Sequence, residues 1–213
     1  WGKGESCLMS RFLLSCANRC GAAFVLALLV GPMVLAEEIY YQVGFTNRLR
    51  LADTDVGTDV LIGSMGPADD SLGMSFSPEG VLYGYNRSTS SLYTIDTTTA
   101  ATTLVGANGL QAVESLTFDA TGSTLYATSG SQLYAMDPAD ATATLIGALG
   151  TSLDGLTVSP VPLDVFGIGT VPAGTIFGID TRELFVVDVV TPSTTSIGSV
   201  SANETLAFGP TGT

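Results

Sequence analysis

At 213 residues with a formal net charge of −13, the chain is long enough for one sizeable core and too acidic to favour a phosphate backbone as partner. It contains no histidine, which excludes Ser-His-Asp triads, Cys-His pairs and histidine metal ligands together. A hydrophobic content of 46% against 13% charged residues excludes disorder as the general state.

The amino terminus reads as an upstream extension followed by a secretory signal peptide, residues 1–36. Met9, Arg11 and Arg19 precede the uncharged run Gly21-Ala-Ala-Phe-Val-Leu-Ala-Leu-Leu-Val30, which ends in Val34-Leu35-Ala36 before Glu37-Glu38. That run is shorter than the ~20 residues a membrane span needs and is broken by Gly31 and Pro32. Small residues at Val34 and Ala36 place the cleavage after Ala36, so amino-terminal sequencing of exported material is expected to begin at Glu37. A membrane-held product retaining Cys16 would point instead to a lipoprotein, although Leu13-Leu-Ser-Cys16 is a poor lipobox. All three cysteines, Cys7, Cys16 and Cys20, fall in this leader. The remaining chain therefore uses neither disulfides nor thiolate metal sites, and it carries four basic against nineteen acidic residues.

Residues 37–213 repeat one phrase four times. In chain order the copies are Leu49-Arg-Leu-Ala-Asp53 with Leu61-Ile-Gly63, Leu92-Tyr-Thr-Ile-Asp96 with Leu104-Val-Gly106, Leu133-Tyr-Ala-Met-Asp137 with Leu145-Ile-Gly147, and Leu184-Phe-Val-Val-Asp188 with Ser196-Ile-Gly198. Asp and Gly are ten residues apart in every copy, while Asp-to-Asp spacings of 43, 41 and 51 mark a fixed unit with one insertion. Two further strands belong to each unit: Met74-Ser-Phe76, Leu116-Thr-Phe118, Leu156-Thr-Val158 and Leu206-Ala-Phe208, then Ile39-Tyr40, Leu82-Tyr83, Leu125-Tyr126 and Ile176-Phe177. Ser77-Pro-Glu-Gly80 and Asp119-Ala-Thr-Gly122 supply the turns between them. Short β-branched and aromatic runs without helical periodicity predict successive antiparallel strands. Apolar residues on both faces of each strand suit a sheet packed between two others, as in a β-propeller blade. A β-sandwich is the alternative, but it does not require the constant ten-residue offset.

Several acidic groups invite a chemical reading. Asp53-Thr-Asp55-Val-Gly57-Thr-Asp59 resembles the start of a calcium loop, yet Ser64 stands where the twelfth-position glutamate belongs. Asp53, Asp55 and Asp59 are thus calcium candidates inside what other repeats build as a plain turn. Glu114, Asp154 and Glu204 each lie two residues before the Leu-x-Phe type strand, which in a meander lies nearest the axis. They are candidates for an acidic rim that binds a cation or basic ligand. The first repeat has Leu72 at that position. Asp53, Asp96, Asp137 and Asp188 recur at strand ends and read as turn caps. Gly147-Ala-Leu-Gly150 lacks the Lys-Ser/Thr of a phosphate loop, and Asn86-Arg-Ser88 and Asn203-Glu-Thr205 are coincidental sequons in a bacterial-looking export. The insertion at 161–174, with Val161, Leu163, Val165, Phe166, Ile168 and Val171, predicts an extended loop that folds back to cover a blade edge or presents a contact patch.

Val81-Leu-Tyr-Gly84, Asp137-Pro-Ala-Asp140 and Thr205-Leu-Ala-Phe-Gly-Pro-Thr-Gly-Thr213 make the chain resemble secreted bacterial β-propeller proteins with YVTN-like or NHL-like repeats. The resemblance covers about Ile39 to Thr213 and implies a periplasmic or cell-surface scaffold with no assigned reaction. It leaves two arrangements open: a closed ring of four blades, or, favoured because such proteins usually carry more repeats, a fragment of a larger propeller. The expectation for function is a non-enzymatic scaffold for a protein or small-molecule ligand that the sequence does not name. The alternative is a calcium-dependent propeller hydrolase or lyase with Glu114, Asp154 and Glu204 as ligands or acid/base groups.

Overall fold

Alternation along Leu133-Tyr-Ala-Met136 sends Leu133 to one face of its strand and Met136 to the other, and both side chains are almost fully buried. A strand apolar on both faces must be covered on both, which stacked sheets achieve. The computed structural model describes the backbone of residues 38–42, 48–53, 58–66 and 71–200, with side chains for 48–52, 58–66 and 73–200. The chain divides into two units, Trp1–Leu35 and Ala36–Thr213. The expected leader and the strand expected at Leu206–Phe208 lie outside the described residues.

Seventeen strands and no α-helix are present among the described residues. The first sheet holds β1 (Glu38–Gln42), β2 (Arg48–Asp53) and β3 (Thr58–Ser64). The second is a four-stranded antiparallel meander of β4 (Ser71–Phe76), β5 (Leu82–Asn86), β6 (Ser91–Ile95) and β7 (Thr102–Ala107). The third repeats it with β8 (Val113–Phe118), β9 (Leu125–Ser129), β10 (Gln132–Met136) and β11 (Ala143–Ala148). The fourth comprises β12 (Gly155–Val158), β15 (Ile176–Ile179), β16 (Glu183–Asp188) and β17 (Ser193–Ser199). Its insertion forms a separate hairpin of β13 (Leu163–Val165) and β14 (Gly169–Val171).

Three apolar seams join the sheets. Leu49 and Met65 of the first meet Leu82, Tyr93 and Ile95 of the second. Tyr85 and Leu92 meet Leu116, Phe118 and Met136 of the third, with Tyr83 edge-on to Phe118 at 5.2 Å. Leu133 and Leu149 meet Leu156, Phe185 and Val187 of the fourth. The inner strands β4, β8 and β12 lie side by side because alternate positions on them are small or hydroxylic. A Cβ on Gly73 would crowd the Leu116 backbone nitrogen at 3.0 Å, and Ser115 Oγ accepts from the Leu156 N–H at 2.6 Å.

The ten-residue Asp-to-Gly offset has a physical cause. In every described sheet the last two strands pair across a β-bulge: Leu92 opposes Gly106 and Tyr93 opposes Leu104, leaving Val105 as the extra residue. Ile62, Ile146 and Ile197 are skipped in the same way. The bulge turns that branched residue into an apolar cluster, an inter-sheet seam for Ile62, Val105 and Ile146 and the underside of the inserted hairpin for Ile197, and bends the outer strand. The glycine beside it lets the next sheet's turn approach. A Cβ on Gly106 would stand 2.2 Å from the Asp140 carbonyl oxygen, on Gly63 2.7 Å from that of Thr99, and on Gly147 2.8 Å from Pro192. Each turn is held by its aspartate: Asp96 Oδ1 accepts from the Thr98 and Thr99 N–H groups, Asp137 from Ala139, and Asp188 from Val190 and Thr191. Ala100 and Ala141 close two of these turns at positive φ, 59° and 65°.

The insertion is more ordered than the extended loop expected. Gly167 and Gly169 take positive φ, 77° and 102°, and close a hairpin over the fourth sheet. Val165 and Val171 pack on Phe177, with Leu163, Val186 and Ile197 around them. That is the sheet face turned away from the third sheet, because Phe185 and Val187 fill the seam on the other side.

Candidate functional site

Each inner strand begins at one mouth of the stack and ends at the other, so two mouths must be weighed. At the first lie the acidic candidates. Glu114 is the extra residue in a bulge of β8, between Val113 opposite Ser129 and Ser115 opposite Thr128. Leu72 occupies the same kind of bulge in β4. Glu114 pairs with Arg87, in the β5–β6 turn of the neighbouring sheet, at 3.8 Å and with both side chains partly exposed. Such a pair contributes about 0–1 kcal/mol. Asp154 donates its N–H to the Ile179 carbonyl at 2.8 Å and keeps a half-buried side chain. Glu204 lies outside the described residues, and so do Asp55 and the Asp53 side chain. Asp59 is ion-paired with Arg50 on the adjacent strand. Among the described residues no three carboxylates come within reach of one cation.

At the second mouth, where β4, β8 and β12 end, a funnel of about 350 Å³ opens between three turns. Its walls carry Phe76, Pro78, Phe118 and Pro160 between the hydroxyls of Ser75, Thr117 and Ser159. Phe76 is 41% exposed there, whereas its counterpart Phe118 is sealed in a seam at 3%. Ala173 and Gly174, at the base of the β13–β14 hairpin, complete the wall, and Gly174 approaches Ala120 of the third sheet. Asp119 also lines the funnel. It accepts from the Thr121 and Ser123 hydroxyls and the Thr124 N–H. Partial burial pushes its pKa up, but these donors outweigh burial and hold it below the ordinary value.

The other turn aspartates behave alike. The Thr98 hydroxyl and the Thr98 and Thr99 N–H groups hold Asp96 down at about 2. Asp140, Asp180 and Asp188 are lowered chiefly by the N–H groups of Thr142, Arg182 and Thr191. A carboxyl whose folded pKa lies below its unfolded one stabilises above about pH 4, and that contribution is lost as pH falls toward the folded value. Melting temperature is therefore expected to drop between about pH 4 and pH 2, and Asp96→Asn to make the drop shallower. A wild-type profile flat across that window would contradict the capping role.

The funnel was missed in the sequence because its walls come from three repeats. Its signal was present: Ser or Thr stands in the middle of Met74-Ser-Phe76, Leu116-Thr-Phe118 and Leu156-Thr-Val158, and Pro78 and Pro160 follow two of these strands.

Stacked four-stranded antiparallel sheets with inner strands side by side define the chain as a β-propeller-type repeat protein. No family model and no curated protein sequence matches it. Among solved structures it is similar to a Bacteroides thetaiotaomicron protein of unknown function, with a TM-score of 0.62 and 12% identity over 80% of this chain and 51% of that one. It is also similar to a chain of the nidogen/laminin complex, with a TM-score of 0.60 and 13% identity over 81% of this chain and 66% of the other. Kuenenia stuttgartiensis hydrazine synthase aligns at a TM-score of 0.50 and 13% identity over 74% of this chain and 45% of that one. At such identities the likeness speaks for the fold alone. The chain spans about half the length of the Bacteroides protein.

Proposed function

We propose that the chain is an exported, non-enzymatic binding scaffold, acting in the periplasm, at the cell surface or outside, that takes its ligand or partner in the funnel where the inner strands end. The observation that carries this reading is the make-up of that funnel. It is concave, walled by aromatic, proline and hydroxyl groups, and among the described residues its one lining acidic residue, Asp119, is already held by three donors of its own turn. Exposed aromatic surface with convergent polar groups is the chemistry of recognition. The aspartates that recur in every unit are occupied in the same structural way, so they serve the blades.

The test is titration of the full chain with indole, a neutral aromatic probe, read by backbone amide NMR in calcium chloride and again in EDTA. Shifts confined to the neighbourhood of Ser77, Ala120 and Gly174, alike in both buffers, are expected. Shifts elsewhere, or none, would contradict the funnel. Calcium-dependent turnover of a phosphoester, lactone or uronate polymer that EDTA abolishes would replace the scaffold with a hydrolase or lyase.

A further inference from the structure

Three features of the funnel surroundings narrow what can dock there. The first is size: about 350 Å³ is at the low end of ligand sites, which run roughly 300–1,000 Å³. It accommodates one large apolar group and leaves the rest of any ligand outside on the surface. The second is what that surface offers. The hairpin that supplies Ala173 and Gly174 to the funnel wall carries Phe166 at its tip, 89% exposed, and Val161 and Ile168 are exposed on the same insertion. An exposed aromatic at the tip of a hairpin whose Val165 and Val171 are buried is spare apolar surface on the insertion whose base walls the cavity.

The third feature is charge. The connections that leave the funnel end of the inner strands carry Glu79, Asp119 and Asp164 and no basic residue. Glu79 stands against the turn of Asp119, its Oε1 3.5 Å from the Cβ position of Gly122, so two carboxylates from neighbouring sheets flank one side of the mouth. Arg87 and Arg182 lie in turns at the opposite end of the sheets, after β5 and β15. The inner-strand connections at the funnel end thus carry only negative charge among the described residues, with Arg87 and Arg182 at the other mouth and Arg50, within β2, paired with Asp59.

Resting on the scaffold reading above, we infer that the funnel and the adjoining β13–β14 hairpin form a docking surface for a basic segment of a partner polypeptide, which seats one large apolar side chain in the funnel and sets flanking Lys or Arg against Glu79 and Asp119. A single-residue cavity with exposed apolar side chains on the insertion that walls it fits an extended chain with one anchor. The carboxylates select a cationic partner and speed its approach. Phe76 and Pro78 receive the anchor, and Phe166 covers its neighbours.

The experiment uses the full chain and three synthetic peptides of equal length: a central Phe flanked by Lys and Arg, the same peptide with Ala for Phe, and the same peptide with Glu for every basic residue. Affinity is read by fluorescence anisotropy and the site by amide NMR. The basic Phe peptide is expected to bind with shifts at Ser77, Ala120 and Gly174, and to weaken as salt rises past the Debye regime. The Ala peptide should bind at least about tenfold more weakly, and the Glu peptide should not bind. On the protein side, Glu79→Lys should weaken the basic peptide about tenfold or more, Phe166→Ser should weaken it, and Arg182→Ala at the other mouth should leave it unchanged. All three side chains are at or near the surface, and the peptide substitutions do not depend on any variant folding. Equal binding of the basic and Glu peptides overturns the inference, as does binding insensitive to both Glu79→Lys and the loss of Phe. If the basic peptide fails while indole still shifts the funnel amides, the partner chemistry is wrong and the scaffold reading stands. If neither shifts them, both fall.

Discussion

Gly106→Ala is expected to lower stability by about 2–3 kcal/mol, a large effect for one methyl group on an outer strand. The new Cβ would stand 2.2 Å from the Asp140 carbonyl oxygen and 3.2 Å from the Ala141 Cβ. Both belong to a turn locked by its own hydrogen bonds, Ala141 N–H to the Asp137 carbonyl and Asp137 N–H to the Thr142 carbonyl. Backbone on both sides of the clash means that the whole seam must open, with Tyr85, Leu92 and Met136 inside it. Gly109→Ala separates this contact from glycine's conformational freedom. Gly109 sits at φ 75° with nothing within 4 Å of its Cβ position, so its substitution should cost only the left-handed strain of about 1–2 kcal/mol. Urea denaturation of the two variants checks the contrast. A loss at Gly106 no larger than that at Gly109 would mean that the neighbouring turn yields to the added methyl and does not require a glycine there.

Leu133→Ala is the second large effect, about 2–4 kcal/mol from lost burial and the cavity left behind. Leu133 is fully buried between the third and fourth sheets, against Leu149, Leu156 and Phe185. Leu145 belongs to the same repeat phrase but is 51% exposed on the outer strand, so Leu145→Ala should fall within about 0.5 kcal/mol of wild type. The pair tests whether the repeated leucines divide into seam residues and edge residues, as the stacked sheets require.

Much of this architecture is readable from the residues. The strand phrase Leu133-Tyr-Ala-Met136 declares two covered faces by alternation, and the turn phrases declare where each meander reverses. The Asp-to-Gly spacing is visible as a regularity, but its cause is tertiary: the glycine serves a turn in the next repeat, about forty residues away, which no local rule contains. The bulge at Glu114 is also hidden from spacing, because an extra residue reverses which way a side chain faces. Glu114 pairs with Arg87, in the preceding repeat's turn, a partner that spacing alone does not reveal. The insertion showed its apolar content but not its hairpin, although Gly167 and Gly169, two apart after Phe166, were the closing signal. The funnel depends on three separate turns meeting, and a meeting of that kind is set by packing.

The central claim, that successive repeats stack so that each turn enters the outer strand of the sheet before it, is tested most directly by disulfide trapping. Residues 37–213 contain no cysteine, so an introduced pair has no competitor there. A Cβ on Gly147 would lie 3.0 Å from that of Pro192 in the next sheet's turn, near the Cβ separation of about 3.5–4.5 Å that a disulfide takes. Gly147→Cys combined with Pro192→Cys is predicted to form an intramolecular disulfide on mild oxidation, detected as a linked peptide by mass spectrometry. Gly147→Cys combined with Pro138→Cys, in the turn of the same sheet, is predicted not to. A link in the second pair and none in the first would contradict the stacking.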